Sequence, residues 1–367
     1  MNDTTEGSDP EAGFGARPGR EERRTGRRGI RALLWISVPV LLGWAFRGVS
    51  LAEVGRILAG LTPGRAAFLL AVNLAFTAAV TGRWFLILKA LGEALPGRAL
   101  PELAAARLAG FAVSYLTPGP QFGGEPVQLA LARKKTGLTY ARGTASLLID
   151  KSFDLAGNLV FIGLGLWAFG ARAFSASRSE GGRAFWAAGG ILAGLLPLVY
   201  LGAVFAGARP LSGLAARLSR LFPADRGTRL EAFFREAESE AGAYGRKPLR
   251  AVAHLALSFL VVQGMAAAEL WLTMRYLGFP LDLDGAFLLL AGGKLALYAP
   301  VPGGLGALEA VQRALVTWLG HAPGAALALS AWIRMRDLLF ALVGLAAAAR
   351  GSRPPRGGSW KERRDGR

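Results

Sequence analysis

The sequence predicts an all-α, polytopic membrane protein with about six full spans plus two broken, re-entrant hairpins, about eight hydrophobic segments forming an inverted internal repeat. Three observations predict it. Apolar runs near 20 residues recur along a chain of 367 residues that is 52% apolar and 19% charged, where a soluble domain would carry about 25% charge. Lys and Arg, which give a formal charge of +18, gather in tails and loops, the positive-inside pattern. Two apolar runs are interrupted by Pro and Gly at places 184 residues apart.

Residues 1–29 are polar, without an apolar period, and read as a cytoplasmic tail. The first apolar run starts at Ile30, too late for a cleavable signal, so an uncleaved anchor over Ile30–Phe46 is expected. Leu51, Val54, Leu58 and Leu61 have the spacing of an interfacial helix, ended by Pro63-Gly64. Span two runs from Ala66 to Leu88, with Arg83 near one end where it can snorkel. The segment 103–131 is broken by Thr117-Pro-Gly-Pro-Gln-Phe-Gly-Gly-Glu125 and reads as a hairpin dipping into the bilayer, closing the first membrane repeat's core within 30–170.

Span four covers Thr144–Phe169. The stretch 171–207 joins a short loop to span five at Phe185–Phe205, and 208–250 is a basic cytoplasmic loop with surface helices. The second repeat, 251–350, opens with span six at Ala251–Leu277. A second broken hairpin follows at 286–320 around Tyr298-Ala-Pro-Val-Pro-Gly-Gly-Leu-Gly306, and a last span covers Ala325–Ala349. With the basic tail 351–367, both termini fall on the cytoplasmic side of the inner membrane.

Sliding the chain by 184 residues sets Pro118-Gly119 on Pro302-Gly303, and Glu125, Val127, Gln128 and Leu131 on Glu309, Val311, Gln312 and Leu315. Ten of the 32 positions from 118 to 149 are identical to their counterparts, against roughly three by chance for this composition. Three crossings between the copies would invert the second, a transporter pattern with its site near the midplane. Gly123-Gly124 and Gly303-Gly304 permit close backbone approach, and the helices starting after them would aim N–H groups at an anionic phosphate. The plainer reading is that the glycines serve packing and that Glu125 and Glu309 complement helix dipoles.

Ionisable groups inside the bilayer cost at least about 2.5 kcal/mol, so they face partners or a wet path. Asp150, Lys151 and Asp154 in span four, and Arg334, Arg336 and Asp337 in the last span, form two such clusters. The expected pairing sets Asp150 or Asp154 against Arg334 or Arg336, either as a path lining or as a purely structural tie. Glu269 and Lys294 stand alone in sequence, and Trp35, Trp44, Trp84 and Trp332 read as interfacial or packing residues.

Leu116-Thr-Pro-Gly-Pro-Gln-Phe-Gly-Gly-Glu-Pro-Val-Gln128, Arg133-Lys-Lys-Thr-Gly137, Leu148-Ile-Asp-Lys-Ser-Phe-Asp154 and Ala299-Pro-Val-Pro-Gly-Gly-Leu-Gly-Ala-Leu-Glu309 resemble the transmembrane region of lysylphosphatidylglycerol synthases over about residues 30–350. The resemblance implies an integral membrane lipid translocator. Two departures stand out. Only 17 residues follow Arg350, too few for the synthases' soluble aminoacyl transferase, so a standalone member is expected. Gln128 stands where the family pattern has Arg, which takes a charged phosphate partner from that position.

The functional expectation is a flippase-like protein, not an enzyme, with a headgroup path over Gly123, Gly124, Glu125, Gln128, Asp150, Lys151, Asp154, Pro302, Gly303, Gly304, Glu309, Gln312, Arg334, Arg336 and Asp337. The absence of cysteine and the two isolated histidines, His254 and His321, argue against a metal site, and no Walker A motif supplies ATP drive. No cofactor and no nucleic acid are expected. The expected partners are membrane lipids, anionic ones favoured, with a homo-oligomer or a cytoplasmic lipid synthase as further possibilities. A membrane-embedded lipid transferase using an aspartate of span four as base, and a lipid-sensing scaffold, are the alternative readings.

Overall fold

The computed structural model describes residues 39–95, 99–117, 123–173, 188, 189, 192, 195, 198–218, 224–299 and 301–352. The tail at 1–29, the start of span one with Trp35, residues 118–122 of the first break, the loop at 174–187, most of span five before residue 198, Pro300 and the tail beyond 352 lie outside these residues.

Every described element is helical. Helical residues 39–46, α1, precede α2 (Leu51–Leu58), which starts where the Ser50 hydroxyl accepts the Glu53 N–H at 3.1 Å. Its Val54 is buried and its Ile57 and Leu58 pack on the core, while Leu51 is exposed, as an interfacial helix requires. Pro63 opens α3 (Pro63–Ala90) behind the Thr62 cap. The first hairpin is α4 (Ala99–Leu116) and α5 (Glu125–Thr136), the latter stopped by Gly137 at φ 76°. Its first arm begins four residues earlier than the sequence pattern placed it, because Pro101 and Glu102, which interrupt the apolar run, are residues that a helix takes in its first turn.

The helix α6 (Tyr140–Ala173) has 34 residues. The helices α7 (Leu198–Phe205) and α8 (Pro210–Leu218) meet at 97°, and α9 (Ala224–Gly245) is a surface helix of the basic loop. Span six is not one regular helix. It consists of α10 (Pro248–Leu257), a wide π turn at Ser258–Gln263, and α11 (Gly264–Tyr276). The second hairpin is α12 (Leu283–Leu297), a tight turn at Pro302–Gly304 and α13 (Ala307–Trp318), and α14 (Pro323–Ser352) closes the chain.

Three stretches, Pro63–Ala90, Tyr140–Gly170 and Leu249–Tyr276, are long and apolar enough to cross a bilayer, and the bent α7–α8 pair makes a fourth if it is one span. The 30 residues of α14 have the length, about 45 Å, but carry Arg334, Arg336 and Asp337 at their middle. Apolar side chains face outward, among them Leu74, Leu260 and Leu342, each more than 60% exposed. Acyl chains supply the missing contacts for such faces.

The two most extensive helix contacts are α6 on α12 and α4 on α14. Each is a close approach over glycine. A side chain at Gly165 of α6 would strike Ala291 of α12, and one at Gly344 of α14 would strike the Leu108 backbone of α4. Within the first hairpin, Gly124 lies directly on the Gly110 carbonyl. We predict that Gly124→Ala destabilises the protein by about 1–3 kcal/mol through overpacking. Gly82→Ala, at a helical site with open space around it, is neutral or stabilising; thermal unfolding of the two variants in detergent separates them.

Candidate functional site

Arg83 does not snorkel. Its side chain is fully buried, and its guanidinium reaches Asp150 at 2.7 Å, Asp154 at 2.7 Å and the Ser258 hydroxyl of the π turn. Asp150, wholly buried in α6, also takes Arg107 of α4 at 2.6 Å. One carboxylate and two guanidinium groups thus tie α3, α4 and α6, and two charge-assisted bonds on separate oxygens satisfy Asp150.

The second cluster is equally self-contained. Arg334 pairs with Glu309 at 2.8 Å, and its remaining N–H groups reach the carbonyls of Gly303 and Gly304 and the Tyr115 hydroxyl. Gly303, Gly304 and Gly306 have φ of 54°, 66° and 80°, left-handed values that favour glycine. Carbonyls that a broken helix leaves without partners are met here by an arginine. Arg336 pairs with Glu269 at 3.0 Å and with Asp337 at 2.8 Å. The expected pairing of the span-four aspartates with Arg334 or Arg336 is therefore overturned: each arginine finds a carboxylate nearer than the opposite cluster.

The helix N-termini after the breaks already carry a carboxylate of their own. Glu125 accepts the Gly123 N–H at 2.8 Å, Glu309 accepts the Gly306 N–H at 2.8 Å, and Ser114 takes the Gly124 N–H at 2.9 Å. The plainer reading of both glutamates, as first-turn acids, describes these contacts. Glu125 is in turn held by Lys151 at 3.1 Å.

Between the two hairpins lies a cavity of about 450 Å³. From the residues singled out in the sequence it takes Gly124, Glu125, Gln128, Lys151 and Asp154 on one side and Gln312, Arg336 and Asp337 on the other. Gly123, Asp150, Gly303, Gly304, Glu309 and Arg334 do not line it; they hold the elements that do. Pro302 begins the tight turn of the second break, and its side chain lies outside the described residues.

The cavity wall carries Arg107, Lys151, Lys294 and Arg336 against Glu125, Asp154, Glu269 and Asp337, and so is balanced in formal charge. Glu269 is not isolated, since it binds Arg336 and accepts from Trp332 at 3.4 Å. Lys294 donates to Asn158 at 2.6 Å and to Gln263 at 2.9 Å. Asn158 also donates to Tyr298 at 3.4 Å. Sequence reading missed Arg83, Arg107, Asn158 and Gln263. For Asn158 a signal existed, because it lies one helical turn after Asp154 on the same face. Trp84 and Trp332 are fully buried packing residues, and Trp44 stacks under Arg313.

Asp150→Asn leaves two buried arginines without their shared carboxylate, and an expected loss of about 3–5 kcal/mol follows. Lys151→Gln breaks a pair that is one-fifth to one-third exposed and costs about 1 kcal/mol or less; detergent melting curves of both variants check the order.

The family described as Lysylphosphatidylglycerol synthase TM region matches residues 32–344, and the chain belongs to it. No curated protein and no solved structure matches it.

Proposed function

We propose that this member of a family of lipid-related membrane proteins is a flippase-like protein, not an enzyme, that carries a phospholipid or related lipid between the leaflets of the inner membrane. The observation that carries the reading is the cavity itself. It places eight charged side chains among apolar helices, and such groups persist inside a membrane where they face a ligand path or water. Its volume suits a headgroup, within the range of about 300–1,000 Å³ typical of small-molecule sites, while acyl tails stay in the bilayer.

The packing supports the inverted repeat that such a mechanism uses. Under the 184-residue offset α4 corresponds to α12 and α6 to α14, so the two dominant contacts, α4 on α14 and α12 on α6, exchange with one another. Each half then lends its unbroken helix to the other half's hairpin. On this reading the hairpins are re-entrant, the remaining long helices bring the crossings to about six, both termini are cytoplasmic, and headgroups move as the halves rock about the cavity.

Thr77 and Asn73 line the cavity and bond only within their own helix, to the Asn73 and Leu69 carbonyls. Thr77→Trp therefore fills space without removing a bond between helices. In proteoliposomes the wild type should exchange labelled phospholipids between leaflets faster than protein-free vesicles do. Thr77→Trp should slow that exchange about tenfold, equivalent to about 1.4 kcal/mol on the barrier. Exchange equal in wild-type and empty vesicles would overturn the proposal.

A further inference from the structure

Glu125 and Glu309 already set a carboxylate at the start of each helix after a break, where a second anion would be repelled, and the cavity offers donors elsewhere. Gln128 is 4% exposed, lines the cavity, and its Nε2 has no hydrogen-bond partner. Arg107 lines it as well; its Nη2 is committed to Asp150, but its Nε is buried without a partner. A buried donor left unmet costs about 1–3 kcal/mol.

The two halves differ in how this glutamine is held. Its counterpart Gln312 receives the Ser330 hydroxyl. The corresponding Ser146 instead donates to the Gly143 carbonyl and accepts the Trp84 indole N–H at 2.9 Å. The serine that braces the glutamine oxygen in the second half is thus engaged within its own helix and with Trp84 in the first, and Gln128 keeps its Nε2 without a partner.

A third donor sits on α12. Among the described residues Lys294 is the cavity cation without a carboxylate within 4.0 Å; its ammonium rests on two neutral amide oxygens and lies 5.9 Å from the centre of the Phe161 ring. Every other cation of the wall has its acid within that distance.

We infer that Arg107, Gln128 and Lys294 form a subsite for a phosphate oxyanion, carried by a lipid headgroup or presented as free phosphate. This deepens the proposed function and rests on it for the lipid source. All three groups are donors, so they fit a ligand rich in acceptors, whereas a sugar hydroxyl would bring a donor of its own. They come from α4, α5 and α12, and a tetrahedral phosphate offers oxygens in several directions. The positive charge comes from Arg107 and Lys294, with Gln128 adding an uncharged donor to the ionised oxygen.

The test titrates the purified full-length protein with short-chain phosphatidylglycerol, inorganic phosphate and a short-chain galactolipid that lacks phosphate. Gln128→Leu breaks no bond within the protein and keeps the side-chain volume, and Lys294→Gln keeps a polar group; melting curves verify that both fold. The expected result is a preference for phosphatidylglycerol over galactolipid that falls about tenfold or more in each variant, the effect of one charge-assisted bond. Competition by inorganic phosphate identifies a free anion as sufficient, and its failure to compete identifies the lipid headgroup as the source. An unchanged preference in both variants overturns the subsite. Leaflet exchange is read in parallel: exchange with no phosphate preference sinks the subsite and leaves translocation standing, whereas phosphate-dependent binding without exchange does the reverse.

Discussion

Asp150 accepts from two guanidinium groups at once, and the placement of α3, α4 and α6 depends on that fact. A bare carboxylate inside an apolar bundle would be driven to neutralise. Two buried arginines without it would repel each other in a medium that screens poorly. With the three together, each helix is fixed in rotation and depth, because a guanidinium meets a carboxylate oxygen in few geometries. Asp154, a turn further on, takes the other edge of Arg83 and so sets one wall of the cavity.

The second half solves the same problem by different means. Arg334 bridges a carboxylate and two backbone carbonyls, so one side chain neutralises Glu309 and also holds the tight turn of the second break. Among the described residues, the first half sets Lys151, about one-third exposed, on Glu125, with Ser114 bracing Gly124 from the facing helix. Similar sequence copies have therefore diverged in the contacts that hold each break. The second break is tied to α14 by Arg334, while the described part of the first packs Gly124 closely on Gly110.

Much of this was legible in the chain before folding. Pro and Gly at matching offsets marked both breaks, Glu125 and Glu309 announced helix starts, and the intramembrane charges marked where polar groups gather. The partners were not legible, for a physical reason: charge pairing in a bundle is decided by which helices adjoin. Arg83 lies 67 residues from Asp150, in a run whose end looked like an interface. Arg107 sits in an alanine-rich helix where nothing distinguishes it from a surface arginine. Sequence offset drew the two clusters toward each other, whereas local geometry gave each its own counter-ion.

The wide turn at Ser258–Gln263 spends one extra residue on a revolution. Through it a single strand of helix shows Ser258 to Arg83, Gln263 to Lys294 and Glu269 to Arg336, three neighbours that a regular 3.6-residue repeat would not serve from these positions. Such a bulge behaves like a punctuation mark inherited by the chain. A homologue shortened by one residue there would keep its hydrophobicity, its length class and its ability to insert. It would nonetheless lose the phase between the two ends of the helix, so that whichever end kept its polar partner, the other would turn its own toward lipid. An apolar stretch that looks freely exchangeable residue for residue is thus fixed in its count, and drift in composition is open to it where drift in length is not.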